Sequence, residues 1–257
     1  MRTLRQALQG DRPCVSVELP FLGDGHDKEL LDLAEALAPA VDAIQIADDP
    51  LAENIPSPLA LAVLLQRRGL DPVPHLTCRD RNRIALHSDL LGLRALGVSS
   101  LVLDSGRGEI PPGADARPVF DMSQREFIAA ATALNDEDWG ESGHEFLVGI
   151  SDTPRDPASE WSPAPLLELA RAGARFLLLH PTEDQHLLGD YVQALVEARV
   201  TWHYSLVVTV SLAQGVEACQ EQVSRALQLP GVSGVNLRAG QSAGDVLEVI
   251  TSIHRDF

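Results

Sequence analysis

The stretch VPHLTCRDRNRIALHSDLLGLRALGVSSLVLD, residues 73–104, decides the fold class. Its apolar start, residues 73–78, predicts a strand, and residues 81–96 carry apolar side chains at helical spacing. Gly97 then supplies a left-handed turn after the helix, and residues 100–103 predict a second strand. A strand, a helix and another strand in this order imply two parallel strands, because the crossover returns the chain to the same end of the sheet.

The same alternation continues in both directions along the chain. The predicted strands cover residues 14–19, 42–47, 73–78, 100–103, 146–150, 176–179, 200–210 and 234–237. Each is followed by a predicted helix, and the second of these opens at Ser57-Pro58, with serine at the N-cap and proline at the first helical position. An open doubly wound sheet also holds this pattern, but eight similar units in about 240 residues match a closed barrel. We therefore predict an α/β fold, a closed (β/α)8 TIM barrel that forms a single domain over residues 1–257.

The composition limits the classes of function. The chain has 20 Lys and Arg against 37 Asp and Glu, a net charge of −17. Nucleic acids and anionic membranes would repel such a surface, so we expect neither as a partner. Cys14, Cys78 and Cys219 lie far apart, which argues against a disulfide framework or a thiolate zinc site. No stretch approaches 18 apolar residues and the first residues lack an apolar run, so we expect a cytoplasmic protein without signal peptide or membrane span.

Polar side chains stand at the predicted C-terminal ends of the strands, where barrels place their catalytic groups. They are Glu18, Asp48 with Asp49, His75 with Thr77 and Arg79, Asp104, Ser151 with Asp152, His180, Thr209 and Arg238. Glu18 ends an otherwise apolar strand, where an unpaired buried carboxylate would be costly. Two interpretations of Glu18 stay open. It is either a structural residue, at a solvated strand end or in an ion pair with Arg79 or Arg107, or a proton donor or acceptor in catalysis.

Two further patterns bear on cofactors. His75 and Thr77 share one face of the third strand, whereas Cys78 lies on the opposite face and cannot share a metal ion with His75. We therefore predict no metal site. Gly106 and Gly108 follow the fourth strand, and glycines in such a loop let backbone N–H groups approach a phosphate.

Residues 74–85, PHLTCRDRNRIA, resemble the third strand and helix of methylenetetrahydrofolate reductases. The likeness extends to residues 42–48 (DAIQIAD) and 119–121 (VFD), and to Glu18 at the end of the first strand. The resemblance implies an FAD at the barrel mouth, NAD(P)H as electron donor and 5,10-methylenetetrahydrofolate as substrate. It also implies that Glu18 is the acid that helps to open the folate's five-membered ring, and that His75 helps to hold the flavin.

This chain departs from the family pattern at several strand ends, and two of the departures bear on the predicted site. Where the family has Gly-Asp after the fourth strand, the aligned pair is Gly106-Arg107, and Asp104 is the nearest carboxylate. His180 stands where the family has a glutamine that contacts the pterin, so the resemblance implies a substrate contact at His180. The cofactor-binding residues predicted on this basis are Asp48, His75, Thr77, Arg79, Asp104, Gly106 and Arg107.

Three functions stay open at this point. The first is a reductase of one-carbon metabolism that passes a hydride through flavin to methylenetetrahydrofolate. The second is a non-catalytic or accessory barrel that binds a pterin or a partner enzyme, and the lost aspartate and glutamine motivate it. The third is another one-carbon or methyl-transfer enzyme on the same scaffold, since fold alone does not choose among functions. Self-association and the need for a partner subunit stay open too.

Overall fold

Strands and helices alternate along the chain as the sequence predicts. The computed structural model describes residues 3–20, 27–48, 56–106, 116–136, 145–159, 161–239 and 242–256. The strands are β1 (Cys14–Glu18), β2 (Ala43–Ile46), β3 (Pro72–Thr77), β4 (Ser100–Asp104), β5 (Leu147–Asp152), β6 (Phe176–Leu179), β7 (Ser205–Ser211) and β8 (Val232–Arg238). The helices are α1 (Leu4–Leu8), α2 (Asp27–Leu37), α3 (Pro58–Gln66), α4 (Arg83–Ala95), α5 (Gln124–Ala133), α6 (Ala164–Ala172), α7 (Gln185–Glu197), α8 (Val216–Gln228) and α9 (Ala243–Asp256).

The sheet closes on itself. The strands are paired in sequence order, every pair is parallel, and β8 pairs with β1. This confirms the predicted closed (β/α)8 barrel and excludes the open doubly wound sheet, which would have two unpaired edge strands. In the register of β1, Glu18 lies between Gln45 of β2 and Arg238 of β8.

Local sequence signals set several helix boundaries. Ser57 is the N-cap of α3, and its Oγ accepts a hydrogen bond from the Ala60 N–H at 3.3 Å, as the Ser57-Pro58 pair predicts. Gly97 and Gly173 follow α4 and α6 with φ of 79° and 125°. These left-handed conformations turn the chain from each helix into the next strand at little steric cost.

The seventh predicted strand, residues 200–210, is wrong at its start. Val200–Trp202 is a 3-10 helix, and β7 begins only at Ser205. The turn that leaves α7 places Arg199 at φ 60°, with its guanidinium 4.7 Å from the centre of the Trp202 ring. The apolar run therefore begins in this turn, and pairing with β6 starts five residues later than predicted.

A short helix that the sequence analysis did not predict, α1, closes the N-terminal end of the barrel. Thr3 caps it, and the Leu4 N–H donates to Asp71 Oδ2 at 2.9 Å. Leu4 and Ala7 pack against apolar side chains of the lumen: Cys14, Ala43, Val73, Val102, Leu147 and Phe176. A Cβ at Gly149 would overlap the Phe176 ring, so this glycine makes room for the aromatic side chain. The lower lumen is therefore apolar and filled.

The opposite face of each strand packs under the helices. Val15 and Val17 of β1 and Leu101 of β4 belong to one large cluster with helical residues such as Leu86 and Leu90 of α4. Strand residues thus alternate between this outer core and the lumen, as the period of two requires. No helix in the described part of the chain has the length and apolar character needed to cross a membrane.

Candidate functional site

The C-terminal ends of the strands form a mouth lined by polar side chains. Because all eight strands are parallel, these ends lie at the same end of the barrel. The predicted site residues that the structure brings there are Glu18, Asp48, His75, Thr77, Arg79, Asp104, Gly106 and His180. Arg107 and Asp49 lie outside the described residues.

Glu18 is paired, and its partner is Arg238. Arg238 Nε donates to Glu18 Oε1 at 2.9 Å, and Asn236 Nδ2 lies 3.4 Å from Oε2. The carboxylate is nearly buried, with 7% of the side chain exposed, whereas 42% of the Arg238 side chain is exposed. Arg79, which the sequence analysis considered as a partner, instead contacts Asp80. The strand end of β1 therefore carries a fixed carboxylate under an accessible guanidinium.

A row of hydrogen bonds crosses the lumen below this ion pair. His75 Nε2 lies 2.7 Å from Gln45 Oε1, and Gln45 Nε2 donates to Ser16 Oγ at 2.9 Å. Ser16 Oγ donates in turn to Asn236 Oδ1 at 3.0 Å. Sequence analysis missed Ser16, Gln45 and Asn236, since it considered only strand ends. The row joins His75 to Glu18.

His75 is buried and surrounded by charge. Burial lowers the pKa of its imidazole, and the nearby charge of Arg238 acts in the same direction. The carboxylates of Glu18, Asp104 and Asp48 act against this shift, but burial has the largest effect. At neutral pH His75 is therefore a neutral imidazole that carries a proton on one of its two nitrogens.

Asp48 is tied into the wall of the mouth. Its Oδ2 accepts from Thr77 N at 2.9 Å and from Thr77 Oγ1 at 3.0 Å. Arg81 donates to both carboxylate oxygens, at 2.6 and 3.1 Å, and this bond raises the pKa of Arg81. Asp48 and Thr77, both predicted cofactor contacts, thus bind each other and the start of the β3–α4 connection.

Arg79 and Gly106 also serve the architecture of the mouth. Arg79 donates to Asp80 through Nε at 2.8 Å and through Nη2 at 2.8 Å, with 6% of its side chain exposed. Gly106 has φ of 89°, and a Cβ on it would lie 2.8 Å from Arg79 Cβ. The glycine is therefore required for close packing of the chain after β4 against Arg79, two positions beyond the end of β3.

Asp104, Ser151 and His180 form a second polar group on the other side of the mouth. Asp104 accepts from Ser151 through both oxygens, from the backbone N at 2.9 Å and from Oγ at 2.7 Å. His180 Nε2 lies 2.9 Å from the same Oγ. Since the serine proton is used on Asp104, His180 must donate to Ser151. The serine is therefore held between two partners as a link between β4 and β6.

A cavity of about 600 Å³ opens beside this group. Its lining includes the polar residues Asp104, Gln124 and Ser151 and the apolar residues Trp161 and Leu166. This volume lies within the range of small-molecule sites, which combine apolar walls with a few polar groups. Among the described residues, no three His, Cys, Asp or Glu side chains are grouped as metal ligands.

Comparisons with known proteins bear on the fold. Neither the protein-family models nor the curated proteins give a match to this sequence. An uncharacterized protein from Clostridium thermocellum that binds two copies of 5-methyl-5,6,7,8-tetrahydrofolic acid superposes with a TM-score of 0.65, at 10% identity over 97% of each chain. Tryptophan synthase from M. tuberculosis gives 0.61, at 14% identity over 98% of this chain and 99% of the other. The chain is a (β/α)8 barrel. At these sequence identities the structural likenesses show the fold alone.

Proposed function

We propose that this protein binds a reduced folate across the barrel mouth and acts on its one-carbon unit. The observation that carries the proposal is the cavity of about 600 Å³ beside Asp104 and Ser151, in a mouth that also holds Glu18. A pterin ring presents amino and ring N–H donors beside a carbonyl. Carboxylate and hydroxyl oxygens match the donors, and an apolar wall at Trp161 matches the ring face.

The methyltetrahydrofolate-binding barrel from Clostridium thermocellum supports a folate as ligand. Its identity to this chain is 10%, so it supports the class of ligand and assigns no residue. The sequence resemblance of residues 74–85 to methylenetetrahydrofolate reductases points independently to the same class. Reduction of 5,10-methylenetetrahydrofolate is the specific reaction that this resemblance implies.

In this reaction NAD(P)H would supply the hydride to the one-carbon unit, and Glu18 would protonate the ring nitrogen whose C–N bond breaks as the folate's five-membered ring opens. Because Arg238 pairs with the charged form of Glu18, the carboxylate would first have to take up a proton. General acids of this kind contribute about 10²–10⁴-fold in rate. Arg238 and Asn236 hold the two carboxylate oxygens of Glu18 from one side, which fixes the side chain for this role. His180, through its bond to Ser151, would border the pterin.

The side chains at the end of β3, beside the predicted flavin site, fit a flavin poorly. Arg79 and Arg81, the cations beside the predicted flavin site, are bonded to Asp80 and Asp48, and a flavin diphosphate would need such cations. These residues therefore support no step through FAD. FAD and NAD(P)H stay predictions from the resemblance, and an absorption spectrum after incubation with excess FAD and removal of free flavin tests the first.

Folate binding is tested by calorimetry with 5-methyltetrahydrofolate. Loss of a charge-assisted hydrogen bond costs about 1.5–3 kcal/mol, so Asp104→Asn should weaken binding about 10- to 150-fold. Glu221→Gln, which alters an exposed ion pair on α8, is the matched control and should bind as the parent does. Saturating folate concentrations that give no heat and no protection against thermal unfolding would overturn the proposal.

Turnover is tested separately. The parent protein, supplied with NAD(P)H in parallel assays with and without added FAD, should consume 5,10-methylenetetrahydrofolate, and Glu18→Gln should lower that rate about 10²–10⁴-fold while folate still binds. Binding without turnover in the parent would favour the accessory role over the reductase. Equal rates in the parent and Glu18→Gln would remove Glu18 as the acid.

A further inference from the structure

Five buried polar side chains cross the upper lumen in one row. They are His75, Gln45, Ser16, Asn236 and Glu18, and their exposed fractions lie between 0% and 9%. Barrel lumens are ordinarily filled by branched aliphatic side chains, which need no hydrogen bonds. Burial of polar groups in this position destabilises the fold unless each group is hydrogen-bonded. The row therefore requires an explanation beyond packing.

The carboxylate of Glu18 sets the direction of the first bonds. A carboxylate can only accept, so Asn236 must turn Nδ2 toward Glu18 Oε2, at 3.4 Å, and Oδ1 away from it. Ser16 Oγ lies 3.0 Å from that Oδ1 and donates its single proton there. Asn236 and Ser16 thus each have one permitted orientation.

Ser16 passes this constraint on to Gln45 and His75. With its proton used, the hydroxyl can only accept, and Gln45 Nε2 donates to it at 2.9 Å. Gln45 Oε1 then faces His75 Nε2 at 2.7 Å. Because an amide oxygen only accepts, the proton of the neutral imidazole must be on Nε2.

The hydrogen bonds of the row cannot all run in the reverse direction while Glu18 is charged. If Gln45 turned over, its oxygen would take the Ser16 proton, and Asn236 Oδ1 would lose its donor. Asn236 would then turn over as well and place its oxygen against the Glu18 carboxylate. Two acceptors at that distance repel each other, so the charge at one end selects the arrangement of the whole row.

We infer that Ser16, Gln45 and Asn236 are positioning residues that couple the charge of Glu18 to the tautomer of His75. With Nε2 protonated, the remaining nitrogen of His75, Nδ1, is an acceptor, while Glu18 keeps one orientation at the mouth. The catalytic meaning of this coupling rests on the proposed function, but the coupling itself does not. The lowered pKa of His75 agrees with it, since a doubly protonated ring would have no tautomer to select.

The tautomer is measured by long-range ¹H–¹⁵N correlation spectra of the histidine rings. The chain has eight histidines, so the His75 signals are identified by their loss in His75→Gln. The parent should show the pattern of a neutral ring protonated on Nε2. Ser16→Ala, which removes the central hydroxyl, and Glu18→Gln, which replaces the acceptor-only end, should each give averaged nitrogen shifts from two tautomers.

Thr209→Val is the matched control. Thr209 Oγ1 lies 3.4 Å from Asn236 Nδ2, so it contacts the row from the side and does not lie between His75 and Glu18. The parent pattern should persist in this variant. An Nε2-protonated pattern that survives in both Ser16→Ala and Glu18→Gln would overturn the inference, as would a parent ring protonated on Nδ1.

A kinetic measurement distinguishes a positioning role of these residues from a purely structural one. If folate is turned over, misplacement of Glu18 in Ser16→Ala should lower kcat by up to about 10²-fold with KM nearly unchanged. A protein that binds no folate would refute the proposed function and leave the spectroscopic result intact. Conversely, unaltered tautomers in an active enzyme would refute only the coupling.

Discussion

Removal of the Asp48 side chain should destabilise the barrel strongly, although the sequence analysis predicted Asp48 as a cofactor contact. The carboxylate accepts four hydrogen bonds, two from Thr77 and two from Arg81, with 3% of its side chain exposed. Breaking a buried pair by removing one partner costs about 3–5 kcal/mol. Asp48→Ala also leaves the buried Thr77 N–H without this acceptor.

The cost of Asp48→Ala should lie at the lower end of that range. The Arg81 side chain is 23% exposed, lies 3.8 Å from Asp89 and still donates to Thr77 O at 3.3 Å, so water and these groups recover part of the loss. We expect Asp48→Ala to lower the free energy of unfolding by about 3 kcal/mol. Asp48→Asn keeps one acceptor oxygen without the charge, and should cost about half as much, because charge-assisted bonds are about twice as strong as neutral ones.

Guanidinium unfolding curves followed by circular dichroism measure this difference. Glu221→Ala is the control, because Glu221 and Arg225 form an exposed pair on α8, with side chains 65% and 59% exposed. Such pairs contribute about 0.3–0.5 kcal/mol. If Asp48→Ala costs no more than this control, the carboxylate does not hold the end of β3 to the β3–α4 connection. A cofactor role for Asp48 would then regain support, provided that the variant also loses flavin or folate binding.

Three further changes test other parts of the structure. Hydrogen bonds from the Ser123 backbone and hydroxyl lower the pKa of Glu126 from 4.5 to about 2. The stability that this adds is fully present above pH 4.5 and is lost as pH falls through about 2, so Glu126→Gln should be less stable than the parent at pH 7, and the difference should shrink as pH falls toward 2. Burial lowers the pKa of His75 below 6.5, so stability should decline as pH falls below 6.5, and urea titrations from pH 7 to 5 should show a smaller decline in His75→Gln. Gly149→Ala should cost about 1–3 kcal/mol by overlap with the Phe176 ring, and adding Phe176→Leu should restore part of the melting temperature; additive losses would contradict this.

The fold was predictable because each strand–helix unit carries its own signals. The apolar run of β3, the capped start of α3 at Ser57 and the glycine after α4 are all local, and eight repeats of such signals fix the barrel. The gathering of strand-end residues at one mouth follows from parallel pairing alone. α1 was missed because five residues with one capping threonine give too short a pattern for periodicity.

The partners of the site residues were not predictable in the same way. Glu18 and Arg238 are 220 positions apart in the chain, and they meet because β8 pairs with β1 in a register that places them side by side. Asp48 and Arg81 meet across two strands for the same reason. A list of polar strand ends therefore identifies the mouth, but it does not show which charged groups pair with one another. This pairing decides which groups remain available to a ligand.

One local signal would have found Ser16 and Asn236, two of the three missing members of the lumen row. In β1 the residues CVSVE alternate, with Val15 and Val17 in the outer core and Ser16 two positions before Glu18. The same spacing of two separates Asn236 from Arg238 at the end of β8. Side chains two apart in a strand share a face, so a polar residue two positions before a polar strand end faces the same lumen. An apolar residue there would satisfy packing, and a polar residue must instead be paired with another inward-facing group from a neighbouring strand. Inward polar positions on adjacent strands therefore predict a hydrogen-bonded layer beneath the mouth.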